Sequence, residues 1–232
     1  MKVVITGGSR GIGKAIAMKF ASHGHDLFLC SKTLDHLIAA KNEIQKLYPS
    51  VSVDVFAADL SIKERAIEFA NFVLSKSTVD LLVNNCGTYQ PGQVSTDNED
   101  VLHAMMDQNF YSSFYTTRAF LPHLIQKKSG HIFNLCSIAS LQAYEGGGFY
   151  GVSKYALLGL TRNLRHELKN HGIKVTAVFP GAVMTDSWAG FDNSENRIMV
   201  ASDIADMVYA SSQLSPQAVV EDIIIRPQLG DL

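Results

Sequence analysis

Seven short apolar segments alternate with helical patterns along the whole chain, and this alternation limits the fold more than any other feature of the sequence. Repeated strand and helix signals of this kind are typical of a parallel sheet with helices packed against it. The segments are apolar almost throughout, as expected of strands that are covered on both faces. They span residues 2–6, 26–31, 51–57, 80–84, 130–136, 173–178 and 219–226. The sequence therefore predicts an α/β fold, a doubly wound (Rossmann) parallel sheet of seven strands with helices on both faces.

The chain has 232 residues, 47% of them hydrophobic, which is enough for one well-buried core and too little for two. It carries no repeat, low-complexity segment or linker, so we expect one domain over residues 1–232. A formal net charge of -2 without a basic stripe argues against nucleic acid or an anionic membrane as a partner. The first strand begins at residue 2 and no segment reaches transmembrane length, so we expect no signal peptide and a cytoplasmic location.

The three cysteines lie in or just after apolar strand patterns. Cys30, Cys86 and Cys136 are therefore expected to be buried free thiols rather than disulfide partners or metal ligands. The sequence predicts no metal site.

A glycine-rich turn separates the first strand from the first helical pattern, and it has the sequence TGGSRGIG at residues 6–13. Glycines let the backbone turn tightly and approach a pyrophosphate, whose charge is stabilised by the amides at a helix N-terminus. This context predicts a dinucleotide-binding loop. Its candidate cofactor-binding residues are Gly7, Ser9, Arg10, Gly11, Ile12 and Gly13.

Tyr150 and Lys154 are four residues apart, which places them on one face of a helix. An ammonium group next to a phenol favours the phenolate, so we expect the pKa of Tyr150 to fall from about 10 toward neutrality. Such a pair suits proton exchange with a carbonyl oxygen. Ser137 ends an apolar strand thirteen residues earlier. The alternatives are that Tyr150 is a core aromatic and that Ser137 only caps a helix.

These motifs, in this order, resemble the short-chain dehydrogenase/reductase family, and the resemblance covers nearly the whole chain. It implies the sheet order 3-2-1-4-5-6-7 and reversible hydride transfer between a nicotinamide cofactor and a carbonyl carbon. In that reaction Ser137 would bind the carbonyl oxygen and Tyr150 would deliver the proton. Lys154 would lower the tyrosine pKa and hold the nicotinamide ribose, and Asn109 would maintain a proton relay.

Asn109 lies inside a long helical pattern at residues 98–126, where asparagine has poor propensity. The resemblance implies that it bends the helix and holds a water, whereas an exposed helix asparagine is the alternative. The same pattern includes Phe110 and Phe114 and has more apolar surface than one sheet face needs. By the same resemblance, this helix and the next, at residues 149–171, would form the interface of a homodimer or homotetramer.

The end of the second strand indicates which cofactor is preferred. NAD enzymes usually carry an acidic residue there, but the sequence has Ser31 and Lys32. Lys32 and Arg10 can both approach the 2'-phosphate of NADP(H), which we therefore predict as the cofactor. Two solvated surface cations are the alternative, and Asp35 could support an NAD preference.

The resemblance extends to the turns after later strands. It implies that Asp59 contacts the adenine ring and Leu60 packs on it, although Asp59 or Ser61 could equally be a helix N-cap. In the Asn-Cys-Gly sequence after the fourth strand, cysteine replaces the usual alanine. A Pro-Gly turn after the sixth strand would be rigid beside the nicotinamide. The remaining candidate cofactor residues are Asn85, Cys86, Gly87, Pro180, Gly181, Val183 and Thr185.

Residues 186–201 lack clean periodicity and are predicted to form a short substrate lid, with Ser187, Trp188, Gly190 and Phe191. The segment GAVMTDSW at residues 181–188 and the chain end at 226–231 resemble bacterial sepiapterin reductases, which implies a pterin-type substrate. Tyr144, Phe149, Trp188 and Phe191 are candidates for an aromatic pocket lining, with core packing as the alternative.

Two other functions stay open. A 3-oxoacyl-acyl-carrier-protein reductase would place arginines before the fifth and sixth strands, where this chain has Lys128 and His171. The other alternative is a cofactor-binding protein without turnover that acts as a sensor or a structural subunit.

Overall fold

The computed structural model describes residues 1–188 and 190–231, without the side chain of Ser187. Residue 189, inside the predicted lid, and residue 232, at the end of the predicted domain, lie outside the described residues. Seven parallel strands form one sheet in the order β3-β2-β1-β4-β5-β6-β7, which confirms the predicted fold class and strand order. The strands are β1 Lys2–Thr6, β2 Asp26–Ser31, β3 Val53–Ala57, β4 Leu81–Asn84, β5 Gly130–Leu135, β6 Ile173–Pro180 and β7 Asp222–Ile225.

Helices cover both faces of this sheet because the central strands are apolar on both sides. One face packs against α1, α2 and α7 around Phe20, and the other packs against α3, α5 and α6 around Phe69 and Phe120. The described helices are α1 Gly11–Ser22, α2 Leu34–Leu47, α3 Lys63–Leu74, α4 Glu99–Met106, α5 Ser112–Lys127, α6 Gly148–Leu168 and α7 Ala201–Ser212. None of them, within the part of the chain that the structure describes, has the length and hydropathy that a membrane crossing needs.

Two predicted elements differ from the structure in ways that shape the site. The sixth strand runs two residues further than predicted, because Phe179 and Pro180 pair with Ile224 and Ile225 of β7. The long helix predicted at 98–126 is divided by a π-helical turn at Asp107–Tyr111 into α4 and α5. Single π-helical turns inside α-helices are frequent at functional sites.

Candidate active site

A cavity of about 1230 Å³ opens at the carboxyl ends of the strands, where the strand order reverses between β1 and β4. Crevices at such reversal points are where open α/β sheets bind their ligands. Four predicted site residues, Gly13, Asp59, Leu60 and Asn109, lie outside the cavity wall. The others line it, and they are Gly7, Ser9, Arg10, Gly11, Ile12, Ser31, Lys32, Asn85, Cys86, Gly87, Ser137, Tyr150, Lys154, Pro180, Gly181, Val183 and Thr185.

The glycine loop leaves the N-terminus of α1 open toward the cavity. Gly11 has φ of +54°, a left-handed conformation that side chains rarely adopt, and a Cβ at Gly13 would overlap the carbonyl oxygen of Gly7. Arg10 is the N-cap of α1, and its side chain makes no capping hydrogen bond. The first amides of the helix are therefore left for another acceptor, which fits the pyrophosphate of a dinucleotide.

Thr6 and Asn85 join the glycine loop to the end of β4. The hydroxyl of Thr6 accepts from the backbone amides of Asn85 at 2.9 Å and Cys86 at 3.1 Å. The side-chain amide of Asn85 donates to the carbonyl oxygens of Thr6 and Gly7, each at 3.1 Å. Asn85 thus fixes the shape of the loop as well as lining the cavity. Sequence reasoning missed Thr6, which shares the glycine motif and could have been included.

The part of the cavity beside the glycine loop and the end of β2, where adenosine was expected, holds two cations that are paired with carboxylates. Arg10 contacts Asp186 at 2.7 Å, and Lys32 contacts Asp59 at 2.8 Å. The wall nearby includes His36, whose position in the first turn of α2 gave no signal in the sequence. Both cations line the cavity, with carboxylates as their present partners.

Asp59 and Leu60 occupy positions that differ from the expectation. Asp59 accepts hydrogen bonds from the backbone and hydroxyl of Ser61, at 3.0 and 2.7 Å, while the N-cap of α3 is Ile62. The prediction that Asp59 or Ser61 caps this helix is therefore wrong, because the turn closes one residue before the helix starts. Leu60 is only 2% exposed and belongs to the core, so its side chain does not face the cavity.

Ser137 lies two residues after the end of β5 and is the N-cap of a short 3-10 turn. Its hydroxyl accepts from the amide of Ala139 at 3.2 Å, and its own amide donates to the hydroxyl of Ser140 at 3.2 Å. Ser137 is therefore a capping residue, as the alternative reading had it, and it also faces the cavity. The two roles are compatible, because capping fixes the hydroxyl in one direction and leaves its proton to donate.

Tyr150 and Lys154 lie in the first two turns of α6. The ammonium of Lys154 donates to the carbonyl oxygen of Leu135 at 2.8 Å and lies 5.8 Å from the centre of the Tyr150 ring. Burial lowers the pKa of Lys154 to about 8. Burial also raises the pKa of Tyr150 to about 12, although the Ser137 hydroxyl acts in the opposite direction.

The expectation that Lys154 lowers the pKa of Tyr150 is therefore wrong for this structure. The lysine is directed at a carbonyl group and its charge is itself disfavoured by burial, so desolvation of the phenol dominates. A protonated phenol remains the correct state for giving a proton to a carbonyl oxygen.

Asn109 is fully buried in the π-helical turn. Its carbonyl accepts from the amide of Thr88 at 2.8 Å, and its amide donates to the Thr88 carbonyl at 3.0 Å and the Ser153 hydroxyl at 2.9 Å. Ser153 in turn donates to the carbonyl oxygen of Tyr150 at 2.7 Å. The side chain of Asn109 thus holds α6 and the loop after β4 in place. The alternative of an exposed asparagine is wrong.

Aromatic side chains line the cavity beside Tyr150, and one of them packs against its ring. Tyr89, which sequence reasoning missed, meets the Tyr150 ring edge to face at 5.0 Å between ring centres. Tyr144 and Trp188 line the cavity as predicted candidates. Phe149 is 8% exposed and packs in the protein, and Phe191 contacts Trp188 at 5.2 Å rather than the cavity.

The cysteines are free thiols, but Cys86 is only partly buried and lines the cavity with Cys136. Burial raises the pKa of Cys86, and it raises that of Cys136 to about 11. Both are therefore protonated at neutral pH, which makes them poor nucleophiles.

Comparisons with known proteins agree with this geometry. The sequence pattern of a family described as short chain dehydrogenase matches residues 1–196. An uncharacterized oxidoreductase of Staphylococcus epidermidis is 32% identical over 97% of this chain and 96% of its own. A sepiapterin reductase of Chlorobaculum tepidum is 31% identical over 99% and 97%. An alcohol dehydrogenase of Thermococcus sibiricus, solved with 5-hydroxy-NADP, superposes with a TM-score of 0.91 at 28% identity, covering 98% and 96%.

Proposed function

The chain belongs to the short-chain dehydrogenase/reductase family, and on that premise we propose that it reduces a ketone of a small molecule to an alcohol, reversibly, with NADPH. The observation that carries the proposal is that Ser137, Tyr150 and Lys154 meet on one wall of a cavity that also includes the glycine loop. A hydroxyl donor, a proton donor and a buried cation are what the reduction of a carbonyl requires.

The residues present fit NADP(H), which when bound supplies the hydride. The amides at the start of α1 would bind the pyrophosphate, and Arg10 and Lys32 would bind the 2'-phosphate. The turn at Pro180 and Gly181 would hold the nicotinamide, and Lys154 would hold its ribose. The NADP-type ligand in the Thermococcus sibiricus enzyme supports this choice.

The chain's own residues would then handle the carbonyl oxygen. Ser137 donates a hydrogen bond to that oxygen, and its cap to the following turn fixes the direction of the bond. Tyr150 gives its proton to the oxygen as negative charge develops there. Lys154 keeps a buried ammonium 5.8 Å from the centre of the Tyr150 ring, and Asn109 holds Thr88 and Ser153 in place.

A pterin-type substrate is supported by the chemistry of the pocket. Tyr89, Tyr144 and Trp188 offer flat aromatic surfaces, and planar heterocycles stack on such rings. Asp231 also lines the cavity, and no hydrogen bond is made to its Oδ1 atom by any described residue. A carboxylate oxygen of this kind suits the N–H donors of a pterin. The similarity to the Chlorobaculum tepidum sepiapterin reductase agrees with this substrate class.

The carrier-protein alternative is less well supported. Lys128 and His171 precede β5 and β6, so they lie at the amino-terminal edge of the sheet. A strand of six residues separates that edge from the cavity, a distance of about 20 Å. These side chains therefore lie about one strand length from the cavity of their own subunit, and neither offers the bidentate fork of an arginine. A protein without turnover is also less consistent with a complete set of catalytic side chains.

A substrate panel tests the proposal. Purified protein would be assayed with NADPH against generic diketones, pterins that carry a side-chain ketone, and 3-oxoacyl thioesters, with consumption of NADPH followed by absorbance. We expect turnover of ketones and the highest kcat/KM for a pterin. Preference for the acyl thioester would replace the proposed substrate class, and no turnover of any ketone would favour the sensor alternative.

We also propose that the protein is a homodimer or homotetramer. Phe110 stacks on Phe114 and Tyr111 stacks on Tyr115, so the π-helical turn and α5 together present a row of partly exposed aromatic rings. On α6, Tyr155 is 46% exposed. Clustered apolar surface of this kind is typical of an interface. Light scattering at micromolar concentration should give a multiple of the chain mass, and a monomer would contradict the proposal. The cytoplasmic location stays a prediction.

A further inference from the structure

Two anions compete for the side chain of Arg10. In the structure its guanidinium pairs with the carboxylate of Asp186 at 2.7 Å. The 2'-phosphate of NADPH, in the proposed binding mode, needs the same guanidinium. The two side chains are 65% and 64% exposed, so nothing in the packing around them holds the pair together.

Asp186 belongs to the segment that follows the nicotinamide turn. It starts a 3-10 turn at Asp186–Trp188, in which the amide of Trp188 donates to the carbonyl of Thr185 at 2.9 Å. The base of the segment is fixed, because Met184 and Met199 are paired through a hydrogen bond of 2.8 Å. The ion pair with Arg10 ties the turn above this base to the glycine loop.

The glycine loop and this segment also touch beside the ion pair. A Cβ at Gly11 would lie 3.4 Å from the Thr185 side chain, an ordinary van der Waals distance. Arg10 and Asp186 both line the cavity, so their contact joins the glycine loop to the segment after β6 at the cavity wall. If Arg10 changes its partner, the turn that contains Trp188 therefore loses its ion pair with the glycine loop.

We propose that the Arg10–Asp186 ion pair is a latch between the glycine loop and the predicted lid, and that the 2'-phosphate of NADPH opens it by taking Arg10 from Asp186. The inference rests on the proposed position of that phosphate at Arg10. It makes Asp186 a specificity-determining residue, because it competes with one cofactor and not with the other.

The phosphate has the stronger claim on Arg10 for two reasons. It carries more charge than a carboxylate, and like a carboxylate it accepts the two parallel hydrogen bonds that a guanidinium offers. It would also be shared with Lys32 on the other side, whose ammonium pairs with Asp59 at 2.8 Å in this structure. NADH brings no group that can replace Asp186, so Arg10 stays latched when NADH binds.

Asp186→Asn removes the competitor and keeps the size of the side chain. An exposed ion pair is worth up to about fivefold in an equilibrium constant. We therefore expect Asp186→Asn to bind NADPH about two- to fivefold more tightly and to bind NADH as the wild type does. Asp192→Asn is the matched control, because Asp192 is an exposed carboxylate of the same segment that accepts from the amide of Ser194. It should leave both affinities unchanged.

Adenosine fragments test the opening itself. Trp188 is the one tryptophan of the sequence, so its emission reports on the turn that Asp186 starts. We expect 2',5'-ADP, which carries the 2'-phosphate without a nicotinamide, to change this emission, and 5'-AMP to leave it unchanged. In Asp186→Asn the emission should already resemble that of the liganded protein, with little further response to 2',5'-ADP.

Calorimetry of 2',5'-ADP binding to Arg10→Gln separates the assignment of the phosphate site to Arg10 from the assignment of the latch. Weaker binding to this variant, together with the expected Trp188 response in the wild type, supports the latch. Binding through Arg10 with no change in Trp188 emission, and no gain in NADPH affinity for Asp186→Asn, overturns the latch and leaves the phosphate site intact. If 2',5'-ADP binds Arg10→Gln as tightly as the wild type, or does not bind the wild type at all, both the phosphate site at Arg10 and the latch are overturned. Ketone reduction is measured independently.

Discussion

The two ends of the cavity hold their side chains in opposite ways. At the adenosine end, Arg10 and Lys32 are exposed, and each is paired with a carboxylate near the surface. At the catalytic end, Asn109 and Lys154 are buried, and they bond to backbone groups and to the hydroxyl of Ser153. The first arrangement can exchange partners when a ligand arrives, and the second keeps one geometry.

The difference follows from the cost of losing each kind of partner. An exposed ion pair contributes at most about 1 kcal/mol, because water and salt compete for both charges. A buried polar group left without a partner costs about 1–3 kcal/mol, because no water replaces what was lost. Burial therefore fixes the geometry around Asn109 and Lys154, and the exposed charges of Arg10 and Lys32 would supply the proposed selectivity for NADPH.

The largest expected effect is at the catalytic end. Lys154→Met keeps most of the volume of the side chain and removes its charge, so the hydride step should slow by about 10² or more. NADPH should also bind more weakly, because the proposed ribose contact is lost. Stopped-flow single turnover and a fluorescence titration measure the two quantities. Lys127→Met is the control, because Lys127 bonds Val79 and Asp80 at the opposite edge of the sheet. An unchanged NADPH affinity in Lys154→Met would exclude the ribose contact.

Lys32→Asp tests whether the adenosine end depends on charge. The wild type should bind NADPH at least tenfold more tightly than NADH, because one charge-assisted phosphate contact is worth about 1.5–3 kcal/mol. The carboxylate in the variant repels the 2'-phosphate and accepts from a free hydroxyl, so the preference should reverse. Fluorescence titration gives the four dissociation constants, with Lys46→Asp, near the far end of α2, as control. Equal wild-type affinities for NADPH and NADH would rule out the assignment.

A stability measurement compares the two ends directly. Ser153→Ala removes the hydroxyl that accepts from Asn109 and donates to Tyr150, so the free energy of unfolding should fall by about 1–3 kcal/mol. Lys32→Gln, which breaks the ion pair with Asp59, should lower it by no more than about 1 kcal/mol. Urea denaturation measures both. Losses of the same size would mean that the two ends do not differ as described.

A further comparison separates buried from exposed groups by pH. His131 is buried at the start of β5, and burial with the nearby Lys174 charge lowers its pKa to about 3. Between pH 6.5 and 3 the unfolded chain binds a proton there that the folded chain does not. The free energy of unfolding should therefore decrease as the pH is lowered, by up to about 1.4 kcal/mol per pH unit from this residue.

His131→Gln should flatten this fall in urea denaturation between pH 6.5 and 4. Asp59→Asn is the control. Burial acts to raise the pKa of Asp59, but hydrogen bonds from Lys32 and Ser61 lower it overall, so the stability it contributes is lost only below the usual range of a carboxyl group. The control should keep the wild-type slope in this window. An unchanged slope in His131→Gln would show that His131 is not the group that titrates.

The sequence predicts what depends on neighbours along the chain. The apolar strands, the glycine loop and the placing of Tyr150 and Lys154 on one helix are all local patterns, and the structure has them. The pairing of Arg10 with Asp186 joins residues far apart in the sequence, and no local pattern indicates it. The position of Tyr89 against Tyr150 is equally non-local.

The raised pKa of Tyr150 shows the same limit in chemical terms. The spacing of Tyr150 and Lys154 predicts that they are close, but the sign of a pKa shift depends on how much water reaches each group and on where the lysine points. The carbonyl of Leu135, which accepts from Lys154, belongs to β5, whereas Lys154 and Tyr150 are on α6. Motifs therefore identify the members of the site, and packing decides their protonation.

The most direct test of the account is the single-turnover reduction of an accepted ketone by Tyr150→Phe, with an NADPH titration of the same variant. The substitution removes one hydroxyl and keeps the ring that contacts Tyr89. We predict wild-type NADPH affinity and a hydride step slower by about 10² or more, the usual cost of removing a positioned acid. A variant that binds NADPH normally and reduces the ketone at the wild-type rate would show that Tyr150 only fills space and that the proposed mechanism is wrong.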